Sequence, residues 1–134
     1  MKFVIAKSAQ KVHDKASVLV VETPTRLREY VGKLQLLIPP HQLDDKGLES
    51  LPHITVMYGL HSGSLKRVIE LVGVLYGHLF PLYIHVGSIE YFDKDDCTVC
   101  YLEVKSNCLQ LLFKMIKKHI PNSWEYENYT PHMT

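Results

Sequence analysis

"LPHITVMYGL", residues 51–60, decides how this chain of 134 residues is read. It contains Pro52-His53-Ile54-Thr55, and the last four residues, Pro131-His132-Met133-Thr134, repeat that tetrapeptide with one change. The β-branched, apolar character of His53 to Tyr58 predicts a strand, stopped by Gly59. Strand residues i and i+2 share a face, roughly 6.6–7 Å apart. His53 and Thr55 therefore share one face, as do His132 and Thr134, while Ile54, Val56 and Tyr58 turn the other way, toward a helix.

Outward from that stretch, Ser17–Val21 reads as a buried strand. Thr23-Pro24 reads as an N-cap followed by proline at the first helical position. Leu27, Tyr30, Val31, Leu34 and Leu37 continue at helical spacing to Pro39-Pro40. His41 to Leu51 is polar and reads as a loop. After the first tetrapeptide, Ser64 is placed to cap a helix carrying Leu65, Val68, Ile69, Val72 and Leu75, with Gly77 as its end signal. Leu82–Phe92 and Thr98–Val104 read as a hairpin turning at Asp93-Lys94-Asp95-Asp96. Ser106 or Asn107 caps a third helix through Leu109, Leu112, Phe113 and Ile116. Lys117, Lys118 and His119 suit its C-terminal dipole, and Pro121 stops it. A polar, aromatic loop, 122–128, leads into the second tetrapeptide.

The two halves share one grammar: strand, helix, polar loop, Pro-His-x-Thr. This is a two-copy repeat, too short for a solenoid. It predicts two lobes about a pseudo-twofold axis, each supplying one histidine to a shared cleft.

Size and composition bound the answer. One domain over 1–134 is expected, able to bury a core without disulfide or metal. A net charge of +1 argues against a protein that coats long nucleic acid, and leaves room for a small anionic ligand. The apolar runs are too short for a membrane span or a signal-peptide core, so a cytoplasmic protein is expected. Three cysteines suit a reducing compartment. Cys97 and Cys100, i and i+3 in a strand, point to opposite faces and read as small hydrophobes.

Two imidazoles and two hydroxyls around one spot suit phosphoryl chemistry. A neutral imidazole takes a proton from the attacking hydroxyl or water, and a protonated one gives a proton to the leaving oxygen. Threonine hydroxyls donate to the non-bridging oxygens as charge builds there. Histidine's reference pKa of about 6.5 lets both forms exist near neutrality. The pattern needs no cofactor, and no cluster of Asp, Glu and His at a familiar metal-ligand spacing is evident. A single His-x-Thr among eight histidines means little; two copies, each preceded by proline, carry more weight.

The chain resembles the 2H phosphoesterases, the two-histidine superfamily of 2′-5′ RNA ligase-like proteins and 2′,3′-cyclic phosphodiesterases, and most of all their small phage-encoded and bacterial members. The resemblance rests on "DDKGLESLPHITVMYGL" (44–60) and "YTPHMT" (129–134) and spans the chain from about Lys15. It implies a bilobal α+β fold, two antiparallel sheets forming a central cleft with helices outside, and metal-independent cleavage of phosphodiesters. Carried over by position, the catalytic residues are His53, Thr55, His132 and Thr134. In the family the second strand continues past its threonine, so a longer natural chain is expected.

Substrate-binding candidates are Tyr129, Trp124, Lys105 and Lys66. Trp124, Tyr126 and Tyr129 could cover a nucleobase or only anchor their loop. Lys66 and Arg67 could hold a phosphate near a helix start or be solvated surface, and Lys105 could face the cleft. Tyr58 is expected in the core. The expected partner is a small nucleotide or oligonucleotide: a 2′,3′-cyclic phosphate, a 2′-5′ linkage or a cyclic oligonucleotide signal. The alternatives are a non-catalytic binder of nucleotides or RNA ends that keeps the cleft, and a metal site built from the two histidines. Oligomeric state is left open.

Overall fold

The computed structural model describes residues 2–7, 16–43, 51–94 and 96–133. Thr134, Asp95 and most of the polar loop before Leu51 lie outside the described residues. The strands are β1 (Lys2–Lys7), β2 (Ala16–Glu22), β3 (His53–His61), β4 (His85–Lys94), β5 (Cys97–Lys105) and β6 (His132–Met133). The α-helices are α1 (Thr25–Gln35), α2 (Leu65–Val74), α3 (Tyr76–Leu79) and α4 (Asn107–His119).

All six strands lie in one sheet, ordered β1-β2-β3-β6-β5-β4, with every neighbouring pair antiparallel. This differs from the expected pair of sheets. The joint is β6: Met133 pairs with Ile54 on one side and with Leu102 on the other. The order is its own mirror about that joint, with β1-β2-β3 answering β4-β5-β6. The registers match as well. Val21 pairs with Ile54 and Glu22 with His53, while Leu102 pairs with Met133 and Glu103 with His132. Strand order and these registers are therefore alike on the two sides of the Ile54–Met133 pair.

One face of the sheet carries the core. Ile54, Val56, Leu102, Val104 and Met133 pack with Leu109, Leu112, Phe113 and Ile116 of α4. Each large aliphatic side chain so buried contributes roughly 1.5–3 kcal/mol. Strict alternation fails in β3, where register shifts against β2 leave Val56 and Met57 both buried. An extra residue reverses which face later side chains take.

Three local expectations are corrected. Thr23 does not cap α1: Pro24 occupies the cap position, and the Thr23 hydroxyl donates instead to the Pro52 carbonyl at 2.8 Å. Ser64 stands at the cap position of α2 without a side-chain cap bond. Gly77 does not end the second helix; α2 breaks at Leu75, and Gly77 lies inside the short α3. Ser106 behaves as expected, accepting from the Leu109 N–H and donating to the Tyr83 carbonyl at 2.7 Å. β1 was given no reading from sequence and completes the β2 edge.

Candidate active site

Each histidine opens a strand behind a proline. Proline lacks an N–H and is tolerated at a strand's first position, and it biases the residue before it toward extended backbone. Both prolines are buried. The Pro52 carbonyl accepts from Thr23, and the Pro131 carbonyl accepts from the Val104 N–H at 3.2 Å. With the backbone so fixed, each imidazole reaches back two residues. His53 Nδ1 lies 3.0 Å from the Leu51 carbonyl oxygen, and His132 Nδ1 lies 2.9 Å from that of Thr130.

A carbonyl oxygen only accepts, so in both rings Nδ1 carries the proton. In the neutral ring this leaves the lone pair on Nε2, and in the charged ring it leaves Nε2–H as the donor. The two halves thus hold their histidines in one orientation by one device.

Both histidines are half-buried and lie on the sheet face opposite the core. The register that pairs Ile54 with Met133 places Thr55 and His132 across from each other on that face. His53 is then a diagonal neighbour of His132, at roughly 7–8 Å between backbones. His53, Thr55 and His132 are brought together; Thr134 lies outside the described residues.

Two carboxylates flank the pair symmetrically. Glu22 is the direct cross-strand partner of His53, and Glu103 that of His132. Glu103 Oε1 lies 3.6 Å from Lys105 Nζ. A bulge in β4 makes room for Glu103: a Cβ on Gly87 would come within 2.6 Å of its Oε2. Lys105, two residues along β5, shares this face and is 68% exposed. Sequence reasoning missed both glutamates and Tyr101, whose ring meets that of His132 edge-on with centroids 5.1 Å apart. Only the strand register reveals them, because each is remote in sequence from the histidine it faces.

The remaining candidates lie elsewhere. Tyr129 is 7% exposed, stacks on Phe113 at 4.7 Å and donates to the Thr55 carbonyl at 2.8 Å. It packs in the core rather than on the face that carries the histidines, and burial pushes its phenol well above the usual range. Trp124 is the hub of the same cluster, touching Tyr58 at 4.4 Å and Phe113 at 5.2 Å. Desolvation, with smaller contributions from Tyr126 and Glu125, also raises the Tyr58 phenol. These rings anchor the loop before the second tetrapeptide. Lys66 is 88% exposed on α2, 4.0 Å from Glu70. Its helix belongs to the helical layer, where Arg67 donates to the His119 carbonyl at the end of α4. The structure does not bring Lys66 to the histidines.

The model of the 2′-5′ RNA ligase superfamily matches residues 20–134. The chain belongs to this superfamily. The match runs from within β2 through both Pro-His-x-Thr copies. No curated protein and no solved structure matches the chain. The superfamily is one of phosphoesterase- and ligase-type enzymes acting on small RNA or nucleotide substrates. Among the described residues no helix is long and apolar enough to cross a membrane.

Proposed function

We propose that this member of the superfamily is a metal-independent phosphodiesterase that cleaves a small nucleotide ester by paired acid and base catalysis, acting in the cytoplasm. The observation that carries the reading is the matched pair of imidazoles. His53 and His132 have the same Nδ1–carbonyl bond, lie on the same face and are diagonal neighbours across Thr55. Two nitrogens of like orientation on either side of one phosphate serve proton removal on one side and proton delivery on the other.

In this reaction the neutral imidazole accepts a proton at Nε2 from the attacking hydroxyl or water as the new P–O bond forms. The protonated imidazole gives its Nε2 proton to the oxygen that leaves as the old P–O bond breaks. Thr55, and Thr134 by its place in the second motif, donate to the non-bridging oxygens. An acid supplied by the protein does the leaving-group work that a divalent ion would otherwise do. The substrate classes that fit are 2′,3′-cyclic phosphates, 2′-5′ linkages and cyclic oligonucleotides.

The test is turnover in EDTA with a panel of 2′,3′-cyclic nucleotides, 2′-5′ dinucleotides and cyclic dinucleotides. Chelator-resistant cleavage that falls by 10²–10⁴ in both His53→Ala and His132→Ala supports the proposal. Cleavage that EDTA abolishes contradicts it. Tight nucleotide binding without cleavage would instead identify a binding protein that keeps the cleft.

A further inference from the structure

The registers align the two halves at two matching pairs, and that alignment shows where they differ. The Glu22–His53 pair answers Glu103–His132, so Val20, one step further along the face, answers Tyr101. Val20 is opposite Thr55. Tyr101 instead begins a row of rings, 5.1 Å from His132 and 5.7 Å from Phe92 of β4. Phe92 is 42% exposed, a large apolar ring on the open face rather than in the core. Aliphatic on one side and aromatic on the other, the site is chemically lopsided although its histidines are matched.

Resting on the reading of the paired histidines as a phosphate site, we propose that the Tyr101–Phe92 row is the subsite for the nucleobase of the ester. The substrate then lies with its nucleoside over β5 and β4, beside His132, and its other substituent toward His53. A base and the phosphate on its own ribose are one sugar ring apart. On the sheet, Tyr101 and the histidine pair stand at neighbouring positions, a comparable step. The surface there is two aromatic rings, with Glu90 the direct cross-strand partner of Tyr101, and a flat base stacks on such rings. The Ser88 hydroxyl holds Glu90 by donating to its Oε1 at 2.6 Å. Stacking tolerates any base, since every base presents a π-face.

The experiment measures binding of adenosine 2′-monophosphate and of inorganic phosphate by calorimetry to wild type, Tyr101→Ala, Tyr101→Phe, His53→Ala and His132→Ala. Tyr101→Ala is expected to weaken the nucleotide by roughly 5- to 100-fold, the range seen when a stacking ring is removed, and to leave phosphate within about twofold. Tyr101→Phe keeps the nucleotide affinity. Both histidine variants weaken both ligands. Unchanged nucleotide affinity in Tyr101→Ala, with the histidine variants still defective, overturns the base subsite and leaves the phosphate site standing. Phosphate affinity unchanged in both histidine variants overturns the phosphate site itself. Failure of wild type to bind the nucleotide more tightly than phosphate overturns the subsite as well.

Discussion

The Tyr129 hydroxyl donates to the carbonyl oxygen of Thr55 at 2.8 Å. One residue lies just before the second tetrapeptide and the other inside the first, so this bond ties the two halves beneath the face where the histidines stand. A further bond fixes the tyrosine's own backbone, with Gln110 Nε2 donating to the Tyr129 carbonyl at 3.0 Å. Tyr129 is a positioning residue, and its effects belong first to stability.

Tyr129→Phe keeps the stack on Phe113 and loses the hydroxyl, at an expected cost of about 1 kcal/mol. The pH dependence has a definite sign. Burial raises the folded-state pKa of this phenol, so the folded state holds the proton longer than the unfolded chain does. The resulting stability is full below about pH 10, the value of an unperturbed tyrosine, and is lost as pH rises above it. Tyr58 contributes with the same sign. Urea midpoints at pH 8 and pH 11 test this, both within reach of ordinary buffers. Wild type should lose more stability between them than Tyr129→Phe; an equal loss would show that this phenol does not titrate differently in the two states.

Thr55 lies across from His132 and shares its face with His53. If its hydroxyl steadies charge on the phosphoryl oxygens, Thr55→Val, similar in shape and lacking the donor, should lower kcat by about 10²–10³. Thr55→Ser should stay within about tenfold of wild type. Steady-state kinetics on the best substrate of the panel separates the two, and equal activity of the Val and Ser variants would remove the donor role.

Acid and base acting together require one imidazole neutral and the other charged. The rate should therefore rise and then fall with pH, with each limb owed to one ring. Residual activity in His53→Ala should lack one limb and that in His132→Ala the other. The double variant should be little worse than either single one, since the two rings act as a unit. A rate flat from about pH 5 to 9, with chemistry limiting, contradicts the paired mechanism.

Gly59 does not stop β3 as expected, since the strand runs on to His61; it lies within the strand with φ of 69°, where a side chain is disfavoured. Its carbonyl accepts from the Ser123 N–H at 3.0 Å, and a Cβ there would strike the Ser123 hydroxyl. Gly59→Ala is expected to cost about 2 kcal/mol from the backbone alone, and more from the clash. Adding Ser123→Ala should recover the clash and leave the backbone cost. Denaturant midpoints of the single and double variants read this directly, and a Gly59→Ala change within about 0.5 kcal/mol of wild type would contradict it.

Much of the fold was legible where hydrophobic period and punctuation agree. β2, β3, β5, α1 and α4 follow from apolar spacing bounded by proline or serine. Sheet closure was not legible, because it depends on β6, two residues long among the described residues, pairing on both sides. Thr23 was misread because a threonine before proline resembles a cap, whereas a partner 29 residues away in sequence takes its hydroxyl. For Trp124 and Tyr129 the sequence leaves lid and anchor both open, because loop position says nothing of which way a ring turns. His53 and His132 stand out in the sequence because each motif is local. Their neighbours Glu22, Glu103 and Tyr101 do not, since only the ladder brings them near.

The central claim is that His53 and His132 meet one phosphorus. Long-range proton–nitrogen correlation NMR on the two imidazoles, followed through a titration with inorganic phosphate, tests it most directly. Both rings should show protonated Nδ1 in the free protein, and both Nε2 signals should move together with one dissociation constant and one phosphate per chain. Movement of only one ring, or two rings answering with different constants, would contradict the account.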